Sequence, residues 1–107
     1  MFSSCQNLNN IKGIKNWNVE NVINFRRMFS YCQNLKDVNV LQNWNMNKAQ
    51  SIKGMFYECI NLINMDSLYK WKLKDSVFKG NVIYGCKKLY NIPSIFESTN
   101  ILGCKIF

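Results

Sequence analysis

The sequence predicts a repeat solenoid, α/β to mainly β, with short parallel β-strands on one side and short helices or irregular turns on the other. Two observations predict it. The phrase MFSSC at 1–5 returns at equal spacing, as MFSYC at 28–32 and as MFYEC at 55–59. Whole columns keep that step: Cys5, Cys32, Cys59 and Cys86; Leu8, Leu35, Leu62 and Leu89; Trp17, Trp44 and Trp71. Self-similarity at a fixed period of this length marks a repeat architecture. One such unit cannot bury both of its apolar edges alone, whereas stacked neighbours turn each column into a row inside a shared core.

The first element of each unit is the apolar series that follows the cysteine. In the first copy it runs Leu8, Ile11, Ile14, Trp17, and the aliphatic columns Ile11, Val38, Met65, Ile92 and Ile14, Leu41, Leu68, Ile95 repeat it. A step of three fits neither a clean strand nor a long helix. It predicts a tightly turning coil with a short strand near 10–13, 37–40, 64–67 and 91–94. The second element is the set Val22, Ile23, Phe25, Met28, Phe29, echoed by Ala49, Ile52, Met55, Phe56. Its steps of three and four predict a turn or two of helix on the opposite side. The fourth copy is degenerate: Val82, Ile83 and Tyr84 replace Met-Phe-Tyr, while Cys86 and Leu89 hold the frame. Ser98 stands where a fourth Trp would fall. The repeat region is therefore placed at 1–97, with 98–107 a tail or C-terminal cap.

Composition agrees with a folded domain. The chain has 107 residues, 48% hydrophobic and 19% charged, enough for a modest core and too apolar for disorder. There is no apolar run near twenty residues and no basic-then-apolar leader, so no transmembrane segment and no signal peptide are read here.

The words CQNLNNIKGIKNWNVENVINFRRMFSYC and CQNLKDVNVLQNWNMNKAQSIKGMFYEC resemble the BspA-like leucine-rich-repeat surface proteins, and within them the lipoprotein-associated repeat. The third copy departs, with Lys72 for Asn and Asp75-Ser76 for Asn-Val. The resemblance covers about 1–96. It implies a leucine-rich-repeat-like curved solenoid, no active site, and a binding or adhesion role at a cell surface. On such a sheet, strands about 4.8 Å apart would align equivalent side chains into rows. The outward rows are Lys12, Asn39, Asp66, Pro93 and Asn10, Asp37, Asn64, Asn91, polar faces suited to hydrogen bonding with a protein or glycan.

The cysteine column has three readings. A metal site needs converging ligands, but the chain has no C-x-x-C and no His. A disulfide needs close, correctly turned Cβ atoms, and five cysteines leave one over. Buried free thiols acting as small apolar residues fit the register best. Cys104, out of register, is the candidate reactive thiol. The tryptophans could form an aromatic platform for bases or sugars. Their recurrence between two apolar columns points instead to a buried row, with Asn18 and Asn45 bonding the neighbouring unit's backbone.

Lys and Arg outnumber Asp and Glu 14 to 6, for a net charge of +8. Arg26, Arg27, Lys53, Lys70, Lys72 and Lys74 form the candidate basic surface, joined by Lys48, Lys87 and Lys88. Such a surface draws acidic partners in a salt-dependent way. No nucleic-acid reading module is present. Enzymatic chemistry has no foothold: there is no His for a triad, the six acidic residues are scattered, and no glycine-rich phosphate loop occurs.

Met1 aligns with the internal positions Met28 and Met55. A start on a repeat's own core methionine predicts either a piece of a longer array or a chain that associates end to end. Taken together, the sequence predicts a non-catalytic protein-binding module without cofactors, engaged in cell-surface adhesion or host contact. The alternative is an intracellular scaffold whose basic surface holds an acidic protein or nucleic acid. The resemblance implies a cell-surface or secreted location, and the cytoplasm stays open.

Overall fold

A chain whose apolar residues recur every third position can satisfy its backbone by closing a turn at each of them. The computed structural model describes residues 12–96 and shows this. The N–H of Leu35 bonds the carbonyl of Cys32, Leu41 that of Val38, and Trp44 that of Leu41. One unit later the pairs are Leu62 to Cys59, Leu68 to Met65 and Trp71 to Leu68. These residues thus donate to an apolar residue three places back, while Met65 instead donates to the carbonyl of Asn91 in the next unit, and the series shares one inner face. The 3-10 helix has three residues per turn and eclipses side chains at i and i+3, so the spacing is that of serial 3-10 turns. Four of them lengthen into short helices, η1 Lys12–Ile14, η2 Asn39–Leu41, η3 Asp66–Lys70 and η4 Ser94–Phe96.

This corrects the predicted fold class. Among the described residues there is no α-helix and no strand, only isolated parallel bridges pairing Asn24 with Ser51, Ser51 with Phe78, Asp37 with Asn64 and Asn64 with Asn91. The solenoid with a leucine-rich-repeat-like parallel sheet is therefore not the architecture. Three of the predicted strands, 37–40, 64–67 and 91–94, each contribute a single bridged residue, Asp37, Asn64 or Asn91, before the chain tightens into a 3-10 turn; the one at 10–13 falls partly outside the described residues.

The predicted helix near 22–29 is absent as well. Its segment carries the most regular bonding between units. The N–H groups of Phe25, Arg27, Phe29 and Tyr31 donate to the carbonyls of Ser51, Lys53, Met55 and Tyr57 at 2.7–2.9 Å. Ile52, Gly54, Phe56 and Glu58 donate in the same way to Phe78, Gly80, Val82 and Tyr84. Left-handed residues explain why no helix forms. Arg27, Gly54 and Asn81 have φ of 55°, 61° and 55°, and Tyr31, Glu58 and Gly85 have 61°, 57° and 81°. These two columns, each in register with the repeat, break every right-handed run.

The core lies between these two bonded edges. Cys32, Cys59 and Cys86 are buried free thiols. The thiols of Cys59 and Cys86 donate to the carbonyls of Phe29 and Phe56 at 3.0 and 3.1 Å. Trp44 and Trp71 are buried, and their indole N–H groups donate to the carbonyls of Ile14 and Leu41 at 3.2 and 2.7 Å. Every one of these bonds ties one unit to the unit before it. Trp17 departs from the predicted buried row, being 46% exposed. Asn18 and Asn45 also depart: their Oδ1 atoms accept from the N–H groups of Glu20 and Asn47, two residues on, in local turns. Asn10, Cys5, Cys104 and the segment 98–107 lie outside the described residues, as does the side chain of Lys12. No helix among the described residues is long and apolar enough to cross a membrane.

Candidate functional site

The repeat places a row of aromatic rings at the surface, just before each buried cysteine. Tyr31, Tyr57 and Tyr84 come from the phrases MFSYC, MFYEC and VIYGC. Because the carbonyl of Tyr57 accepts from Tyr31, and that of Tyr84 from Glu58, successive rings are brought together. Tyr31 meets Tyr57 edge-on at 5.5 Å between centroids, and Tyr57 stacks on Tyr84 at 5.3 Å. Tyr31 is exposed and the other two are half-buried.

One cation lies over the row's central ring, and another lies over the separate ring of Phe78. The guanidinium of Arg27 lies 5.3 Å from the Tyr57 ring centroid, and the Lys53 ammonium 5.5 Å from that of Phe78, both inside cation–π range. Phe78 is 55% exposed. The Tyr57 hydroxyl is held above its ordinary pKa. Lost hydration is the main cause, Tyr31, Glu58 and Tyr84 add to it, and Arg27 opposes it. The shift therefore matters only in alkaline solution; at neutral pH the phenol is protonated, like any tyrosine, and can donate a hydrogen bond.

The predicted polar rows are partly assembled. Asp37, Asn64 and Asn91 follow one another through successive bridges. Two of their side chains are turned back on the backbone: Asp37 Oδ1 accepts from Asn39 N–H at 3.2 Å, and Asn64 Oδ1 from Asp66 N–H at 2.8 Å. Asn39 and Asp66 sit exposed at the starts of η2 and η3, whereas Pro93 is buried.

The predicted basic surface divides. Arg26 is exposed, Arg27 lies over the Tyr57 ring of the tyrosine row, and Lys53 lies over Phe78. Lys70, Lys72 and Lys74 alternate along a stretch in which Trp71 is buried and Leu73 half-buried, so all three are exposed on one side. They line two hollows contiguous in sequence. Lys70 and Lys72 face the 44–47 turn, and Lys74 faces Lys48, Ala49 and Gln50. The Lys48 ammonium is held by Asn21 Oδ1 at 2.8 Å.

The tyrosine row was missed in the sequence because its members slip register: Tyr31 stands one residue before its cysteine, and Tyr57 and Tyr84 stand two before theirs. The signal was the presence of an aromatic inside each copy of the phrase. The cysteines offer little chemistry by contrast. Burial pushes the Cys59 thiol far above its ordinary pKa, with Cys32 adding to it, which suppresses the thiolate needed for nucleophilic work. Among the described residues no group of three or more His, Cys, Asp or Glu could hold a metal ion.

No curated protein and no solved structure matches the chain. A family model does match, over residues 1–98. It covers the repeated phrases from which the tyrosine row and the buried cysteines arise, and it is the family of the BspA-like repeats that those phrases resemble. The chain belongs to the family described as Mycoplasma protein of unknown function, DUF285.

Proposed function

We propose that the chain is a non-catalytic protein-binding module, working in adhesion or host contact as part of a BspA-like surface protein. The observation that carries this reading is the surface row of exposed Tyr31 and half-buried Tyr57 and Tyr84, with Arg27 over its central ring. Tyr and Arg are the residue types that dominate binding hot spots. Tyrosine gives a large contact area with few rotors to freeze and ends in a hydroxyl that bonds a partner. Stacking sets the three rings against one another before a partner arrives, which lowers the ordering cost of binding. The absence of His from the sequence and the suppressed ionisation of Cys59 support a non-catalytic role.

The test is adhesion of protein-coated beads to cultured animal cells. Tyr57→Ala and Arg27→Ala are each expected to cut retention about tenfold, the size of a loss of about 1.4 kcal/mol at one hot spot. Retention no greater than that of an unrelated protein of equal charge would sink the reading. A second reading, a scaffold for an acidic partner, is favoured by Lys48, Lys70, Lys72 and Lys74 around two contiguous hollows. It predicts retention that falls steeply with salt and disappears when those four lysines become Ala, with the tyrosine row left intact.

A further inference from the structure

The second and third units carry two polar rows in register. In the second unit Asn43, Asn45 and Asn47 are exposed, while Trp44 and Met46 between them are buried. In the third unit Lys70, Lys72 and Lys74 are exposed, with Trp71 buried and Leu73 half-buried between them. Each lysine is the counterpart of one asparagine: Lys70 of Asn43, Lys72 of Asn45 and Lys74 of Asn47. Trp71 is extended, with φ −66° and ψ 133°. A chain rising about 3.3 Å per residue sets the three lysines along a line of about 13 Å.

Two hollows lie along these rows. One, of about 150 Å³, is lined by Asn45, Asn47, Lys70 and Lys72, with Trp44 and Met46. The other, of about 300 Å³, is lined by Lys48, Gln50, Lys74 and Ser76, with Ile23 and Ala49. Four ammonium groups are thus interspersed with three amides and a hydroxyl. Asp75, exposed beside Lys74, is the one acidic residue within 43–50 and 70–76.

We infer that the two hollows bind a sulfated polysaccharide, its sulfates on Lys48, Lys70, Lys72 and Lys74 and its hydroxyls on Asn45, Asn47, Gln50 and Ser76. Cations spread along a line suit a polymer of anions better than one isolated anion. Amides and a hydroxyl among them suit a ligand whose charges alternate with groups that both donate and accept, as sugar hydroxyls do. A single-stranded nucleic acid also brings regular anions, but it needs exposed rings on which its bases stack. The one ring lining the hollows, that of Trp44, is 5% exposed. An acidic peptide brings carboxylates that only accept, which use the lysines but not the oxygens of Asn47, Gln50 and Ser76. The inference takes the same four lysines as the acidic-partner reading, gives them a sugar ligand, and is independent of the tyrosine row.

The probe is a heparin octasaccharide titrated into the full chain by calorimetry at about 150 mM salt, where distant charges are screened. Saturable binding is expected. Replacing Lys70, Lys72 and Lys74 together by Ala should weaken it roughly tenfold or more. Replacing Lys15, Lys36 and Lys87 by Ala removes the same charge from exposed positions outside the hollows and should weaken it by less than about threefold. Asp75→Asn keeps every lysine, removes the opposing charge, and should tighten binding by roughly threefold; it decides the matter even if a triple variant fails to fold. Failure of the octasaccharide to bind overturns the inference. So do equal losses from the two triple variants, which would assign binding to net charge, or an Asp75→Asn protein that binds no more tightly. Tighter binding of a glutamate peptide of equal charge would return the lysines to an acidic protein and overturn it. Tighter binding of an oligothymidylate of equal charge would assign them to nucleic acid and overturn it too. Tyr57→Ala, which lowers adhesion on the protein-binding reading, should leave the octasaccharide titration unchanged, so either reading can fail alone.

Discussion

Left-handed residues are the least expected feature of the chain. Glu58 and Tyr31 hold φ of 57° and 61° although neither is glycine, and for an L-residue this region costs about 1–2 kcal/mol. Gly85 occupies the third position of that column at φ +81°. A Cβ there would collide with the Glu58 carboxylate. Glu58→Gly is thus expected to raise the urea midpoint, by roughly 0.5–1 kcal/mol after the entropy cost of glycine. Gly85→Ala should lower stability by more than about 1 kcal/mol, through strain and the clash together. In the double variant part of that loss should return, because the colliding carboxylate is gone; strict additivity would mean that the two residues do not touch. None of this was legible in the sequence, since the conformation recurs at equivalent positions of each unit while the residue types do not. The buried thiols were legible, and they carry a pH signature. The folded pKa of Cys59 is raised above its unfolded value near 9.0, so the neutral thiol's contribution is fully present below that value. As pH rises past 9.0 the unfolded chain loses the proton that the folded chain keeps, and stability falls by roughly 1.4 kcal/mol per pH unit. Urea melts from about pH 8 to about pH 10.5 should show this slope. Cys59→Ala should remove one proton's worth of it, and an unchanged slope would locate the effect in other groups.

Between residue and fold, the decisive quantity is the step of three. The columns Leu35, Val38, Leu41, Trp44 and Leu62, Met65, Leu68, Trp71 were plain in the sequence, and so was their burial. Their tight turning was read correctly, but short strands were expected at 37–40 and 64–67 where single bridges lead into 3-10 turns, because a period of three is that of serial 3-10 turns. The segment after each tryptophan was misread as helix for the complementary reason. Apolar residues at steps of three and four suggest a helical face, but left-handed Arg27, Gly54 and Asn81 leave the chain extended enough to bond sideways to its neighbour. The tryptophans test the resulting element. Trp44 is nearly sealed and donates to Ile14. Trp44→Ala should cost roughly 3–5 kcal/mol, as large-to-small aromatic changes in cores do. Trp71→Phe keeps most of the ring packing but leaves the Leu41 carbonyl, now bonded at 2.7 Å, without its indole donor, a loss of about 1–3 kcal/mol. Trp17→Ala, at the half-exposed position, should cost much less, roughly 1 kcal/mol. Denaturant melts of the three variants give the order directly, and equal losses at Trp17 and Trp44 would contradict the packing described.

The units hold one another through bonds that run from each one to the next, so no unit closes its own hydrogen-bond account. The middle unit is the hub. It accepts four N–H groups from the first unit, those of Phe25, Arg27, Phe29 and Tyr31, and donates four to the third, from Ile52, Gly54, Phe56 and Glu58. This dependence follows from the repeat, which the sequence displayed, but the bonds that carry it run along 25–31 and 52–58, where a helix was expected. Nor did the sequence display the surface tyrosine row, half-buried at Tyr57 and Tyr84, whose register slips by one residue between Tyr31 and Tyr57. The dependence has a measurable consequence for cooperativity. Ile52 is fully buried at the centre of the hub, and Ile52→Ala is expected to cost roughly 2–5 kcal/mol. Nearest-neighbour coupling should spread that loss across both boundaries. Native-state hydrogen exchange would then show all eight amides losing protection by a common factor, about thirtyfold or more for a change of about 2 kcal/mol. Loss confined to the four amides that the middle unit donates would show that the boundary with the first unit opens independently. A common factor has the opposite meaning: the two boundaries open together, and the eight amides report one cooperative unit rather than two.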